Sequence, residues 1–354
     1  MKKILILQNE LSGYNVPVYN TIAEYYDLTV GYYLKDKSNI QCYFKKIKMG
    51  SKAIGPFTII KGLRKLASEY DVVSIIPNLR NPSYCLLPFL PHNYKLVNWS
   101  IGFRASYTNP YITRRKHVLA DRIFQSILSH CDASIFYMEK AKEFWKNTSL
   151  DLSRVFVAPN TTDVVSIDIM PEIKKDILFV GTLYKGKGLD LLLDSFRRVV
   201  EELHPQNQLH IVGDGTERQV LENYVVLHNL EGCVIFHGAI YDENELANRF
   251  TQALLCISPT QGGLSVPKSM GYGVPFVTRQ DAITGGEIYH ISPGVNGVVY
   301  AKDEDLTEII SDACRNPQKY VQMGIEAKEY YDNYATIKHM AQGAMDAFEY
   351  ALKH

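Results

Sequence analysis

The sequence predicts an α/β chain of two doubly wound, Rossmann-like domains facing an interdomain cleft. Short apolar runs alternate with amphipathic stretches along most of the 354 residues, the pattern of repeated βαβ units around a buried parallel sheet. The alternation breaks once, at the polar stretch 163–176 with its Pro171, and then restarts. A chain of this length is long for one core and comfortable for two.

In the first half, residues 4–7, 28–32, 72–76 and 95–99 read as parallel strands, and 18–26 and 59–70 have helical spacing. Residues 120–131 form a longer amphipathic helix, followed by a strand at 133–136, a helix at 139–146 and a strand at 155–158. In the second half a strand at 177–180 ends in Gly181, a helix spans 189–203, and a strand at 208–212 ends in Gly213. Then come a helix (217–228), a strand (234–236), a helix (243–253) and a strand (254–258). A helix opens at 268–272, strands follow at 275–278 and 297–300, and helices at 306–315 and 335–352. The expected domains are 1–165 and 166–335, with 336–354 crossing back to the first.

Composition narrows the function. Lys+Arg and Asp+Glu balance at 38 each, which argues against nucleic acid as a partner. The six cysteines form no Cys-x-x-Cys pair and sit mostly in apolar runs, as buried thiols in a reducing compartment do. The histidines show no metal-ligand spacing. The apolar run after Met1 stops at Gln8, too short for a signal peptide. The run 84–96 is broken by Pro88 and Pro91 and falls short of a membrane span. A cytoplasmic protein is expected.

Four segments carry chemistry. In 179–189 a strand ends at Gly181, a basic loop holds Lys185 and Lys187, and a helix begins near Gly188. Backbone N–H groups at a helix start beside lysines make an anion site; a solvated lysine-rich turn is the plain alternative. In 211–221 Gly213 and Gly215 flank Asp214; the third glycine of a dinucleotide fingerprint is missing, which weakens an NAD reading. In 257–276 a buried strand enters a loop of Thr260, Gln261, Gly262, Gly263 and Leu264, with Ser265 and Lys268 at a helix start. Glycines there let backbone approach a ligand. In 284–288 Gly285, Gly286 and Glu287 form a further loop or a plain turn.

In order and spacing these segments resemble the C-terminal domain of family-4 glycosyltransferases of the GT-B fold. The resemblance rests on Gly181 and Lys187-Gly188, Val212-Gly213-Asp214-Gly215, Phe236-His237-Gly238, and Ser269 through Pro275. It covers roughly residues 176–300. Asn15 through Asn20 and Pro159 through Asp163 match the N-terminal half more weakly. The resemblance implies a nucleotide diphosphate sugar as donor, held by Gly181, Thr182, Lys185, Lys187 and Gly213. Lys187 would contact the diphosphate, Phe236 to Gly238 would border the base, and 260–268 would hold sugar and ribose. It also implies retention at the anomeric carbon, no required cofactor or metal, and a glycan or lipid-linked acceptor in bacterial surface polysaccharide synthesis.

The sequence departs from the family where the first motif glutamate becomes Thr260 or Gln261 and the second Lys268. A lysine cannot accept a ribose hydroxyl's hydrogen bond as a carboxylate does, but it can contact phosphate. Thr182 replaces an arginine, and Ile101 stands where a histidine is frequent. Lys187 is the expected stabiliser of the leaving group, with amides of Gly262, Gly263 and Leu264. Glu10 is a candidate base by position alone. Clustered cations at Lys45–Lys65 and at Arg114, Arg115 and Lys116, interleaved with Phe44, Ile54 and Phe57, read as a solvated face or as an interfacial patch at the inner face of a membrane. The rival readings are a non-catalytic nucleotide-sugar-binding protein, a nucleotide-sugar 2-epimerase and, third, an NAD oxidoreductase.

Overall fold

The computed structural model describes residues 1–103, 118–166 and 174–354. Arg104, Arg114, Arg115, Lys116 and Pro171 lie outside the described residues. The chain divides into two compact units. The described residues up to Thr162 join Thr336–His354 in the first, and those of Asp163–Ala335 form the second.

The first unit holds a parallel sheet of seven strands. Its order from edge to edge is Val155–Val157, Ala133–Phe136, Lys95–Ser100, Val72–Ile75, Lys3–Gln8, Asp27–Tyr32, Lys45–Lys48. Buried on both faces, Lys3–Gln8 reads as a continuous apolar run: Ile4, Leu5, Ile6 and Leu7 are all fully buried. One face packs on the helices Val16–Ala23 and Ile337–Lys353. The C-terminal helix presents small residues, Ala341, Ala344, Ala347 and Ala351, all fully buried. At Gly343 the approach is closest, since a Cβ there would lie 2.0 Å from the Val157 carbonyl oxygen.

The second unit holds a six-stranded parallel sheet in the order Val234–Gly238, Leu209–Val212, Asp176–Val180, Ala253–Ile257, Phe276–Arg279, Gly297–Tyr300. Chain order reverses between Asp176–Val180 and Ala253–Ile257. Ligands of open parallel sheets bind beyond the carboxyl ends of strands at such a switch point. The amphipathic helix Leu189–Leu203 covers one face with Leu192, Leu193, Phe196 and Val199.

Three expectations need correction. Residues 57–60 are a strand, Phe57–Ile60, paired antiparallel with Ser51–Ile54, and only Leu63–Ala67 is helical where 59–70 has helical spacing. The β-branched run Thr58-Ile59-Ile60 suits a strand better than a helix. The helix of the 260s spans Ser265–Gly271, ending where one at 268–272 is expected to open. Pro317–Tyr334 is an additional helix, entered by Pro317 at its first turn.

Within the second sheet, His210 Nδ1 lies 2.8 Å from His237 Nε2, and the rings stack at 5.0 Å. Asp176 Oδ2 lies 3.5 Å from His210 Nε2. Burial, then the electrostatic influence of Arg249 and His210, hold the His237 pKa down at about 4. The folded state therefore resists protonating His237, while the unfolded chain takes the proton near pH 6.5. Stability falls as pH is lowered through that window toward pH 4. The urea midpoint is expected to drop from pH 7 to pH 5, with a flatter slope in His237→Gln. Equal slopes for both proteins would refute the assignment.

Candidate functional site

Gly181, Gly213 and Gly238 meet at the carboxyl ends of three adjacent strands. Gly181 N donates to Val212 O at 3.0 Å, and Gly213 N donates to Gly238 O at 2.7 Å. Gly213 sits at φ 145° and Gly238 at φ 73°, backbone that favours glycine. A Cβ on Gly213 would lie 1.9 Å from Gly181 O, and one on Gly215 would lie 2.2 Å from Leu183 O. These residues build the floor of the switch point by letting backbones touch.

Lys187 stands on this floor. A Cβ on Gly181 would lie 3.5 Å from its Nζ, and Nζ lies 5.9 Å from the Tyr184 ring centre, within cation–π reach. Burial lowers the Lys187 pKa from its ordinary value, because desolvation disfavours the ammonium. No carboxylate pairs with it among the described residues. A half-buried cation without a counter-charge is costly in a resting fold, and an arriving anion removes that cost.

The 260s loop closes the other side. Thr260 Oγ1 donates to Gly186 O at 2.7 Å, and Tyr184 Oη donates to Gln261 Oε1 at 2.6 Å. Thr260 and Gln261 thus pin the basic turn Lys185–Lys187 to the loop. Gly188, at φ 68°, abuts Thr260 and Pro259. The loop is held to its neighbour by Ile283 N donating to Thr260 O at 2.9 Å and Gly262 N donating to Ile283 O at 3.0 Å. The Gly262 amide is therefore committed to structure and is not offered to a leaving group. The amides of Gly263 and Leu264 have no acceptor among the described residues. A Cβ on Gly263 would meet nothing within 4 Å.

Lys268 does not face the loop as an open phosphate ligand. Its Nζ pairs with the Glu243 carboxylate at the start of the helix Glu243–Gln252, and its side chain is 13% exposed. Glu243 was not legible as a site neighbour, because 25 residues separate the pair. Lys268→Glu would set two carboxylates together and cost about 1 kcal/mol. The charge-swapped Glu243→Lys/Lys268→Glu double variant is expected to recover that loss in a thermal double-mutant cycle. Additive losses would show the pair to be uncoupled.

Around these groups, Glu287 is buried and accepts from Thr284 Oγ1 at 2.9 Å and Gly285 N at 2.7 Å, so it staples its own loop. Lys174 donates to the carbonyls of Tyr272 and Gly273 at the end of the Ser265–Gly271 helix, with burial holding its pKa at about 8. Phe236 is half-buried and packs into the core of the second unit. Thr182 and Lys185 lie on the loop that leaves the Asp176–Val180 strand, and Ser265 opens its helix. Glu10, in the first unit, forms an ion pair with Lys37 at 2.9 Å. Among the described residues no group of three or more His, Cys, Asp or Glu is placed to hold a metal.

The family-model match falls on the same half, while other comparisons extend over most of the chain. Residues 168–330 match the family model described as glycosyl transferases group 1. An uncharacterized glycosyltransferase of Haemophilus influenzae is 24% identical over 298 residues, covering 80% of this chain and 78% of that protein. A lipopolysaccharide 1,6-galactosyltransferase of Salmonella typhimurium is 26% identical over 183 residues, covering 49% of each. The crystal structure of Anabaena HepE in complex with UDP superposes with a TM-score of 0.73 at 17% identity, over 98% of this chain and 99% of that one.

Proposed function

We infer that the chain, which has the GT-B fold, is a glycosyltransferase that moves a sugar from a nucleotide diphosphate sugar, a UDP-sugar first, onto a glycan or lipid-linked acceptor. The observation that carries the donor reading is the half-buried, unpaired Lys187 at the switch point of the second sheet. HepE holds UDP in its crystal structure, which supports uracil as the base.

In this reading the diphosphate lies against Lys187, Lys185 and the amides of Gly263 and Leu264. The bond between the anomeric carbon and the diphosphate oxygen breaks, and the electron pair leaves with the diphosphate. The charge of Lys187 stabilises that oxygen as it gains the pair, where charge develops in the transition state. The acceptor hydroxyl oxygen forms the new glycosidic bond on the face the diphosphate leaves, with retention at the anomeric carbon, and its proton passes to the departing diphosphate oxygen. The first unit recognises the acceptor, which is presented at the inner face of a membrane during surface polysaccharide assembly. The relative named as a lipopolysaccharide 1,6-galactosyltransferase supports that setting.

The test is a thermal-shift panel of UDP-, GDP-, ADP-, TDP- and CMP-sugars, followed by anomeric proton spectra of the product. A ligand that binds only the native state raises Tm by mass action. A shift from UDP-sugars alone, with transfer to an added acceptor, is expected. The Lys268–Glu243 pair favours one second reading, donor binding without turnover; a UDP shift with neither transfer nor donor hydrolysis would select it. Free UDP released without acceptor, with an epimerised sugar, would select the epimerase. No shift at millimolar concentration would overturn the donor site.

A further inference from the structure

Between Ser38 and Ser68 the chain carries seven cations and no carboxylate. Lys45 and Lys46 are matched by Asp27 at 3.0 Å and Asp36 at 2.8 Å. The remaining five, Lys48, Lys52, Lys61, Arg64 and Lys65, are exposed and make no ion pair among the described residues.

Within this stretch stands the antiparallel hairpin Ser51–Ile54 and Phe57–Ile60. Cross-strand partners share a face, so Ile54 with Phe57, and Lys52 with Ile59, lie on one side. Ile54 is 55% and Phe57 46% exposed at the tip, while Ile60 at the base is 5% exposed. The base is fixed: Ile60 N donates to Ser83 Oγ at 2.9 Å, Thr58 N to Arg80 O at 2.8 Å, and Lys61 N to Gly50 O at 2.9 Å. The result is an anchored hairpin with an apolar tip and unneutralised cations along and beside it.

The tip is poorly placed in water, and the cations call for a surface of anions. A protein partner would need roughly 800 Å² on each side, more than two apolar side chains supply. A bilayer needs only shallow insertion of the tip plus the summed attraction of cations to anionic headgroups. We propose that this hairpin docks the chain on an anionic lipid surface, with Ile54 and Phe57 among the headgroups and the unpaired cations against lipid phosphates. The proposal deepens the reading of a membrane-presented acceptor and rests on it only for its purpose.

The full chain is sedimented with vesicles of phosphatidylcholine alone or mixed with phosphatidylglycerol, without donor or acceptor. Binding to the mixed vesicles only is expected. It should weaken as NaCl rises from about 0.1 M to about 1 M, which shortens the Debye length from about 10 Å to about 3 Å. Ile54→Ser/Phe57→Ser and, separately, Lys52→Glu/Lys61→Glu should each weaken binding at least about ten-fold while keeping the wild-type Tm. Equal binding to neutral vesicles, no binding to either, or unaltered binding of both variants would overturn the proposal. So would binding to soluble heparin with no vesicle binding, which would make the surface a glycan site. The donor-induced Tm shift is read on the same samples. Its absence would sink the donor reading and leave the vesicle result standing.

Discussion

Lys187→Met is expected to lower kcat/KM for glycosyl transfer by about 10²–10³-fold, the cost of removing one preorganised donor from a developing oxyanion. It should also erase the UDP-induced rise in Tm, while the Tm of the ligand-free protein stays level or rises. The two halves of this result have one cause. In the free protein the amine is half-buried, its pKa is lowered by desolvation, and no carboxylate among the described residues offsets its charge. Methionine fills similar space without that cost. With a diphosphate present, the same charge gains the partner that the fold withholds. The pH dependence follows in sign. A lysine whose pKa is lowered sheds its proton before an ordinary lysine would, so diphosphate affinity falls with rising pH ahead of the usual lysine range. Lys187→Arg, charged at every accessible pH, should flatten that fall if it retains binding. An unchanged donor shift in Lys187→Met would remove Lys187 from the site, whatever the activity.

The strands were legible in the sequence because a doubly buried parallel strand has to be a short apolar run, as in residues 4–7, 177–180 and 254–257; the switch point needed the strand order of the folded sheet. Gly181, Gly213 and Lys187 were legible because each ends or follows such a run. The hairpin Ser51–Ile54/Phe57–Ile60 was not, since its strands are four residues long and alternate weakly; its one lysine, Lys52, resembles any solvated face. The partners of site residues were also hidden. Tyr184 and Gln261 are separated by 77 residues, and Lys268 and Glu243 by 25, and only the crossing of strand ends brings them together. Gly262 shows the opposite failure. Its place in a glycine loop suggested an amide free for a ligand, but the parallel bridge from Gln261 to Ile283 engages the next N–H. Sequence spacing locates a loop at a sheet edge; it does not say which of its amides the neighbouring loop consumes.

Gly213→Ala separates building the floor from binding on it. The added Cβ would sit 1.9 Å from the Gly181 carbonyl oxygen, a contact between backbones that no side-chain rotamer relieves. Residue 213 is also at φ 145°, a region essentially closed to L side chains. Strain and clash add, so a loss of about 4 kcal/mol or more is expected, in the diagnostic range for a single substitution. Gly263→Ala is the matched control. Nothing lies within 4 Å of its added Cβ, and its φ is not positive. Its stability should stay within about 0.5 kcal/mol of wild type, while the new methyl group stands where a ligand would approach the Gly263 and Leu264 amides. The first variant should therefore lose the fold of the second unit, and the second should lose only donor affinity. Both tryptophans, Trp99 and Trp145, belong to the first unit. A change in far-UV circular dichroism that leaves tryptophan fluorescence intact would assign the damage in Gly213→Ala to the second unit. A Gly213→Ala protein that melts with wild type would mean that the glycine is there for the ligand and that the strand ends are looser than the 2.7 Å Gly213–Gly238 hydrogen bond implies.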